Sequence, residues 1–191
     1  MFNLLKNSFL ELKKPKTIVI CGFLLAMSLI LNTQAIKLGN TKLITFSFIA
    51  NSTAGFLFGP FVAGLLGGTT DVLTHMMSPK GNYFFGYTFN AILGGVLYGM
   101  FLYRKIYGSK KIVLRIVICK ILISIFVNLI FGTLWTAMYA GKGFFVLLPA
   151  RITSELITVP VHCIVMFIIL KTVNKVYYQL NFDNDFNNIK N

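Results

Sequence analysis

The chain is a series of long apolar runs separated by short polar or glycine-rich stretches, and charged residues inside the runs are rare. The runs do not alternate apolar and polar residues as barrel strands do, so the pattern predicts membrane-spanning helices. We predict an all-α membrane protein with a bundle of six transmembrane helices. The helices are expected at about 17–36, 44–58, 61–77, 84–103, 112–138 and 144–173.

This pattern divides the chain into three regions. Residues 1–16 combine four lysines with apolar residues and predict an amphipathic basic helix on the inner membrane surface. A frayed basic leader is the alternative interpretation of the same residues. Residues 17–175 form the six-helix transmembrane domain, which the polar residues described below predict to bind a substrate. Residues 176–191 are expected to be a polar cytoplasmic tail.

Composition and charge agree with a membrane protein. The chain is 56% hydrophobic and only 12% charged, whereas a soluble domain carries about 25% charged residues. The 18 basic residues against five acidic ones would suggest nucleic-acid binding in a soluble chain. In a membrane protein they indicate topology instead, because lysine and arginine stay on the cytoplasmic side. We therefore expect no nucleic-acid partner.

The distribution of these charges predicts the orientation in the cell membrane. With both termini in the cytoplasm, the inner segments carry twelve lysines and arginines and the outer loops carry four. The multi-pass protein is therefore predicted to have both termini cytoplasmic.

The last predicted helix carries polar residues on one face. Arg151, Glu155, Thr158 and His162 follow one another at spacings of four, three and four. A charge exposed to lipid costs roughly 2.5–3.5 kcal/mol on insertion scales, so this face should point into the protein or a watery cavity. A helix-packing ion pair between Arg151 and Glu155 that binds nothing is the alternative.

In this orientation, five helices place polar or aromatic residues in the outer half of the membrane. Asp71 and His75 lie one turn apart, but two ligands make a poor metal site. A cavity lining, or a satisfied buried pair, explains them better. The pattern predicts an outward-facing pocket suited to a flat aromatic ligand with carboxylates. Its candidate residues are Asp71, His75, Phe85, Tyr87, Asn90, Asn128, Trp135, Tyr139, Lys142, Arg151 and Glu155.

Motifs for catalysis and nucleotide binding are missing from the sequence. It contains no G-x-x-x-x-G-K-[ST] loop, no H-E-x-x-H and no G-x-S-x-G. Asp71 with His75 is the only candidate pair for chemistry, and the sequence places no serine or cysteine nucleophile beside it. We therefore predict that the chain is not an enzyme and that it needs no cofactor or metal.

Several stretches together resemble a known family. They are Phe58-Gly-Pro-Phe61, Phe85-Gly-Tyr-Thr-Phe-Asn90, and the region from Trp135 through Tyr139-x-Gly-Lys-Gly to Leu148-Pro-Ala-Arg151. Over most of residues 17–173 the chain resembles the substrate-binding S component of an energy-coupling factor (ECF) vitamin transporter, most of all its folate-specific branch. The family's pair of small residues on the first helix, usually two alanines, is Gly22 and Ala26 here. Ser154-Glu155 stands where relatives have a lysine–asparagine pair.

The resemblance implies a six-helix bundle that captures folate or a related vitamin outside the cell. It implies docking through Gly22 and Ala26 to a membrane coupling subunit, and two cytosolic ATPase subunits that use ATP to power uptake. The S component would then topple in the lipid bilayer to release its ligand inside.

For a folate ligand, the chemistry of the candidate side chains predicts their roles within the pocket. The glutamate carboxylates of folate would bind Arg151 first and Lys142 second. The pterin ring would stack on an aromatic side chain among Phe85, Tyr87, Trp135 and Tyr139. The aminopyrimidine edge would bind a carboxylate or amide among Asp71, Asn90 and Asn128. Two alternatives stay open, an S component for another vitamin and a membrane enzyme or assembly protein with a structural polar core.

Overall fold

Almost all of the described chain is helical. The computed structural model describes residues 2–33, 36–38, 42–44, 46–78, 83–103 and 110–179. Two short strands, β1 (Ile36–Leu38) and β2 (Lys42–Ile44), form a hairpin. A π-helical segment, Ile123–Phe131, joins α6 to α7. The α-helices are α1 Phe2–Glu11, α2 Pro15–Thr33, α3 Phe48–Phe58, α4 Pro60–Met77, α5 Phe85–Leu102, α6 Lys110–Leu122, α7 Gly132–Ala140 and α8 Phe144–Gln179.

The predicted class, a helical membrane protein, is confirmed. Four segments are long and apolar enough to cross a membrane, namely α2, α5, the continuous stretch Ile112–Ala140 and α8. The eleven residues of α3 span only about 16 Å, less than the roughly 30 Å hydrocarbon core. With α6, the π segment and α7 taken as one, the described residues form seven helical segments. That all six predicted helices cross the membrane stays a prediction.

Several predicted boundaries are wrong. The first long helix ends at Thr33 rather than Ile36, because Ile36 pairs with Ile44 in the hairpin. For the same reason the next helix begins at Phe48, not at Ile44. At the other end, α8 continues to Gln179, past the predicted end at 173 and into the predicted tail. Residues 180–191 of that tail lie outside the described residues.

The predicted break between the second and third predicted helices is present. α3 ends at Phe58 and α4 begins at Pro60, with Gly59 between them at a φ of +90° that favours glycine. Ser8 of α1, fully buried, holds this break. Its hydroxyl donates to the Phe58 carbonyl at 2.7 Å and accepts the backbone N–H groups of Phe61 and Val62 at 3.1 and 3.2 Å. Helix α1 is therefore packed on the bundle, which favours the helical interpretation of the N-terminal segment.

Replacing Ser8 with alanine should lower the thermal unfolding midpoint of the purified protein. The substitution leaves the first N–H groups of α4 without their buried acceptor, and loss of a capping side chain costs about 0.5–2 kcal/mol. Thermal unfolding in detergent measures the change. The exposed neighbour Asn7 provides the control, and an equal shift in Asn7→Ala would contradict the capping role.

Two apolar cores meet at α3. One core joins α3 to α5, α6 and α8, with Leu102, Ile116, Met166 and Leu170 at its centre. The other joins α2, α3 and α4 around small residues such as Ala50, Ala54 and Ala63. Packing on both sides fixes this short helix within the bundle.

Helices α4 and α5 touch along a line of glycines. A Cβ atom on Gly95 would lie 2.2 Å from the Ala63 carbonyl oxygen, and one on Gly99 would lie 2.3 Å from the Pro60 backbone. Small residues permit such close approach between membrane helices. This contact places the C-terminal end of α4, with Asp71, beside the N-terminal end of α5.

Candidate functional site

The candidate site lies at the end of the bundle where α4 and α7 finish and α5 and α8 begin. Gly141, with a φ of +63°, ends α7 and allows the short turn 141–143 that leads into α8. This turn brings the first residues of α8 next to α7. Most of the predicted pocket residues therefore lie close together in space.

Arg151 of α8 is at the centre of the site. Its Nη1 donates to the Asn128 carbonyl at 3.2 Å, and its Nη2 donates to the Thr136 hydroxyl at 2.5 Å. Neither acceptor carries a charge. The Nε atom is buried and has no hydrogen-bond partner. The guanidinium is therefore held in place with one donor unsatisfied, which is unusual for a buried polar group.

Thr136 links Arg151 to α5. Its hydroxyl donates to the Gly132 carbonyl at 2.8 Å and lies 3.3 Å from the Tyr87 hydroxyl. Gly132 itself has no room for a side chain, since a Cβ atom there would lie 2.9 Å from Arg151 Nη1. The position of the guanidinium is thus fixed by side chains and backbone of three helical segments.

The π segment supplies backbone acceptors to the site. The Val127 carbonyl accepts a hydrogen bond from the N–H of Gly132, five residues later, as in a π-helix. It also accepts a hydrogen bond from Asn90 Nδ2 at 3.1 Å. The next carbonyl, of Asn128, accepts Arg151. π-helical turns are rare and frequent at functional sites. Here the irregular register allows these two carbonyls to bind side chains from α5 and α8.

An aromatic cluster includes Tyr87, whose hydroxyl lies 3.3 Å from that of Thr136, the partner of Arg151. The Phe84 ring lies 5.8 Å from Trp135, 5.8 Å from Tyr87 and 6.3 Å from Tyr139. Trp135 Nε1 donates to Asn90 Oδ1 at 3.2 Å, so the amide that binds the π segment also orients the indole. Such a cluster offers flat apolar faces beside a cation.

Trp135 makes two further packing contacts. Its ring lies nearly parallel to Phe131, at 6.3 Å and 17°. Gly86 lies under the indole, because a Cβ atom there would be 2.6 Å from a Trp135 ring atom. Both contacts fix the indole plane.

Asp71 and His75 form a second polar group beside the cluster. Thr88 donates to Asp71 Oδ2 at 2.7 Å, and the Tyr83 hydroxyl lies 2.5 Å from the Thr88 hydroxyl. The His75 ring packs on Tyr83 at 5.3 Å. Among the residues that the structure describes, no group of three histidine, cysteine or acidic side chains could hold a metal.

The polar face of α8 points into the protein, as predicted, but its members belong to different surroundings. Glu155 is buried one turn from Arg151 and accepts the Ser124 hydroxyl at 2.6 Å. His162 stacks on Phe48 at 3.9 Å, deeper in the bundle. Lys120 is buried in the same region, 3.4 Å from the Tyr98 hydroxyl. Only Arg151 of this face reaches the aromatic cluster.

The structure brings together most of the predicted pocket residues but not all. Phe85 is 67% exposed and turned away, while its neighbour Phe84 occupies the centre of the cluster. Lys142 is exposed in the turn between α7 and α8. Sequence reasoning missed Phe84 and Thr136. Thr136 carried a usable signal, because it follows Trp135 directly and lies four residues after Gly132 on the same helix.

The predicted partner face on α2 is exposed. Gly22 and Ala26 are both exposed, and a Cβ atom on Gly22 would meet nothing within 4 Å. Their neighbours Val19 and Phe23 are 72% and 69% exposed. This stretch of α2 therefore presents small and apolar residues to whatever surrounds the bundle.

Two cavities lie outside the aromatic cluster. One, of about 540 Å³, follows the α4–α5 surface, and the other, of about 1060 Å³, lies where α1, α2, α3 and α8 meet. Neither is lined by Arg151 or Trp135, whose side chains contact their neighbours in the cluster instead.

Comparisons with known proteins agree with the resemblance seen in the motifs. The family model described as "ECF transporter, substrate-specific component" matches residues 16–170. The chain is 34% identical to "Folate transporter FolT" of Clostridium novyi over 170 residues, which cover 86% of this chain and 93% of that protein. It is 24% identical to "Folate transporter FolT" of Streptococcus mutans over 165 residues, covering 85% and 89%.

A solved structure has the same fold. "Crystal structure of FolT bound with folic acid" aligns with a TM-score of 0.73 and 30% identity, over 81% of this chain and 92% of that one. The helical bundle, the matched family model and the relatives all lead to one assignment. The chain belongs to the substrate-specific components of ECF transporters.

Proposed function

We propose that this protein is the folate-binding S component of an ATP-driven ECF uptake transporter. The observation that carries the proposal is the Arg151 guanidinium, whose Nε is buried without a hydrogen-bond partner. Its Nη2 donates to Thr136, and the Thr136 hydroxyl lies 3.3 Å from the hydroxyl of Tyr87 in the aromatic cluster. The chain is similar to FolT proteins, and one FolT structure contains folic acid.

The chemistry of the site matches the two halves of folate. Its pterin is flat and aromatic and stacks favourably on indole or phenyl faces. Its glutamate half carries two carboxylates, for which an arginine fork is the best-matched partner in proteins. We place the glutamate at Arg151, with the exposed Lys142 as a second cation near the entrance.

The pterin is assigned to the face of Trp135. In this structure both Phe131 and Phe84 pack against the indole. A pterin that stacks on the indole therefore replaces Phe84, the half-buried residue that immediately precedes α5. Asn90 holds the indole in either case, and Asp71 and Asn128 are the candidates for the aminopyrimidine edge.

Topology and partners complete the proposal. Six helices cross the membrane with both termini in the cytoplasm, so that the site faces outward. The exposed stretch of α2 around Gly22 and Ala26 binds a membrane coupling subunit, and two cytosolic ATPases supply the energy. The chain itself catalyses no reaction. Co-purification with all three partners tests this part.

Folate should quench the fluorescence of the purified protein, because Trp135 is its one tryptophan and lies in the site. The titration is repeated with riboflavin, thiamine and biotin, which should neither quench nor raise the thermal unfolding midpoint. The control is Trp135→Phe, which should lose the signal but still be stabilised by folate. Absence of any folate effect on fluorescence and on unfolding would overturn the proposal, as would stronger stabilisation by another vitamin.

A further inference from the structure

The cavity of about 1060 Å³ lies at the end of the bundle opposite the candidate site. Helix α8 contributes Arg151 to the site and Thr172 to the cavity, and 21 residues of helix separate the two by about 30 Å. The cavity is a distinct feature, on the other side of a bilayer-thick bundle. We propose that it binds one anionic phospholipid.

The interior of the cavity suits an acyl chain. Its walls are mostly apolar, and its volume of about 1060 Å³ is slightly above the roughly 300–1,000 Å³ typical of small-molecule sites. The helices that form it also expose apolar residues outward, Phe23 from α2 and Val176 from α8. A lipid tail can therefore enter from the side. The apolar lining includes Ile20, Phe23, Leu24, Leu57, Phe58 and Val176.

The rim of the cavity is positively charged. Lys13, Lys14 and Lys16 line it together with one acid, Glu11, so three positive charges less one negative charge leave +2. Glu11 is buried and pairs with Lys14 at 3.4 Å, which fixes that ammonium at the rim. Lys13 is exposed. Because Glu11 already pairs with Lys14, the rim offers no further carboxylate to the quaternary ammonium of a choline headgroup.

Position selects a lipid rather than a soluble ligand. The lysines flank Pro15, where α2 begins, so they lie at the level of the headgroups when α2 spans the membrane. Lysines near a membrane surface each attract anionic lipid by about 1 kcal/mol, and basic pockets between transmembrane helices bind anionic headgroups. A phospholipid would place its phosphate beside the lysines of the rim and its acyl chain against the apolar interior.

The test uses the full chain purified in nanodiscs that contain equal amounts of phosphatidylglycerol and phosphatidylcholine. After transfer to mild detergent, native mass spectrometry counts the lipids that stay bound. Phosphatidylglycerol should be retained on the order of fivefold more than phosphatidylcholine, as about 1 kcal/mol implies. Lys13→Gln should abolish most of this preference. Thr172→Trp, which places an indole in the cavity, should reduce retention of both lipids.

Lys6→Gln is the matched control, because Lys6 is an exposed lysine of the same N-terminal segment that does not line the cavity. It should leave retention unchanged. Equal retention of the two lipids, or an equal loss in both lysine variants, would overturn the proposal. Full displacement by soluble glycerol phosphate would show a phosphate site without a lipid. If Thr172→Trp abolished capture of the coupling subunit and left lipid retention intact, the cavity would be a protein interface and the inference wrong.

Discussion

Arg151→Ala should weaken folate binding on the order of a hundredfold. Truncation removes the unpaired Nε and both Nη groups. In the proposed binding mode it thereby removes two charge-assisted hydrogen bonds to a glutamate carboxylate. Such bonds contribute about 1.5–3 kcal/mol each, and about 3 kcal/mol in total corresponds to a hundredfold change in Kd. The measurement is a titration of the Trp135 fluorescence with folate.

Three comparisons separate ligand binding from a merely structural effect. Arg115→Ala removes an equal charge from α6, far from the site, and should leave the affinity unchanged. Arg151→Lys should recover only part of the affinity, since an ammonium cannot bind a carboxylate with the planar fork. For 6-hydroxymethylpterin, which has no glutamate, wild type and Arg151→Ala should bind alike. If Arg115→Ala and Arg151→Ala weakened folate binding equally, Arg151 would not be a ligand contact.

Sequence patterns predicted the helices well where apolar runs end at strong breakers. The break at Gly59 was located within one residue, because glycine and proline leave the chain little choice there. The hairpin around Lys37 and Leu43 was missed, since three-residue strands are too short to show a two-residue period. The end of α8 was missed because the helix continues beyond the apolar run.

Within the site, the charge of Arg151 predicted that its side chain is directed into the protein. The sequence did not predict which of two adjacent aromatic residues faces the site. Arg151 could be assigned to the interior because lipid exposure of its charge is costly. The choice between Phe84 and Phe85 depends on where α5 begins, and adjacent residues on a helix differ by about 100° in direction. The π segment was beyond sequence reasoning, since its register depends on tertiary hydrogen bonds from Asn90 and Arg151.

Gly95→Ala should strongly destabilise the bundle. The added methyl would lie 2.2 Å from the Ala63 carbonyl oxygen and 2.9 Å from the Gly64 backbone nitrogen. Overpacking a rigid contact costs typically about 1–3 kcal/mol, and backbone atoms cannot rotate away as a side chain can. We expect a loss of about 3 kcal/mol or failure to accumulate in the membrane. Thermal unfolding and the yield of monodisperse protein in detergent measure the effect.

The adjacent Gly94 gives the matched control, because both positions are buried in α5 but a Cβ atom on Gly94 meets nothing within 4 Å. Gly94→Ala should be neutral or stabilise the protein by up to about 1 kcal/mol, since alanine is the better helix former. If Gly94→Ala and Gly95→Ala lowered stability equally, α5 would be intolerant of alanine in general. The loss in Gly95→Ala could then not be assigned to its contact with α4. Loss confined to Gly95 would show that the close approach of the two backbones holds α5 against α4, the packing in which Thr88 donates to Asp71. Folate affinity per folded molecule should change little in Gly94→Ala, because a Cβ atom there meets nothing within 4 Å and the α4–α5 contact is kept.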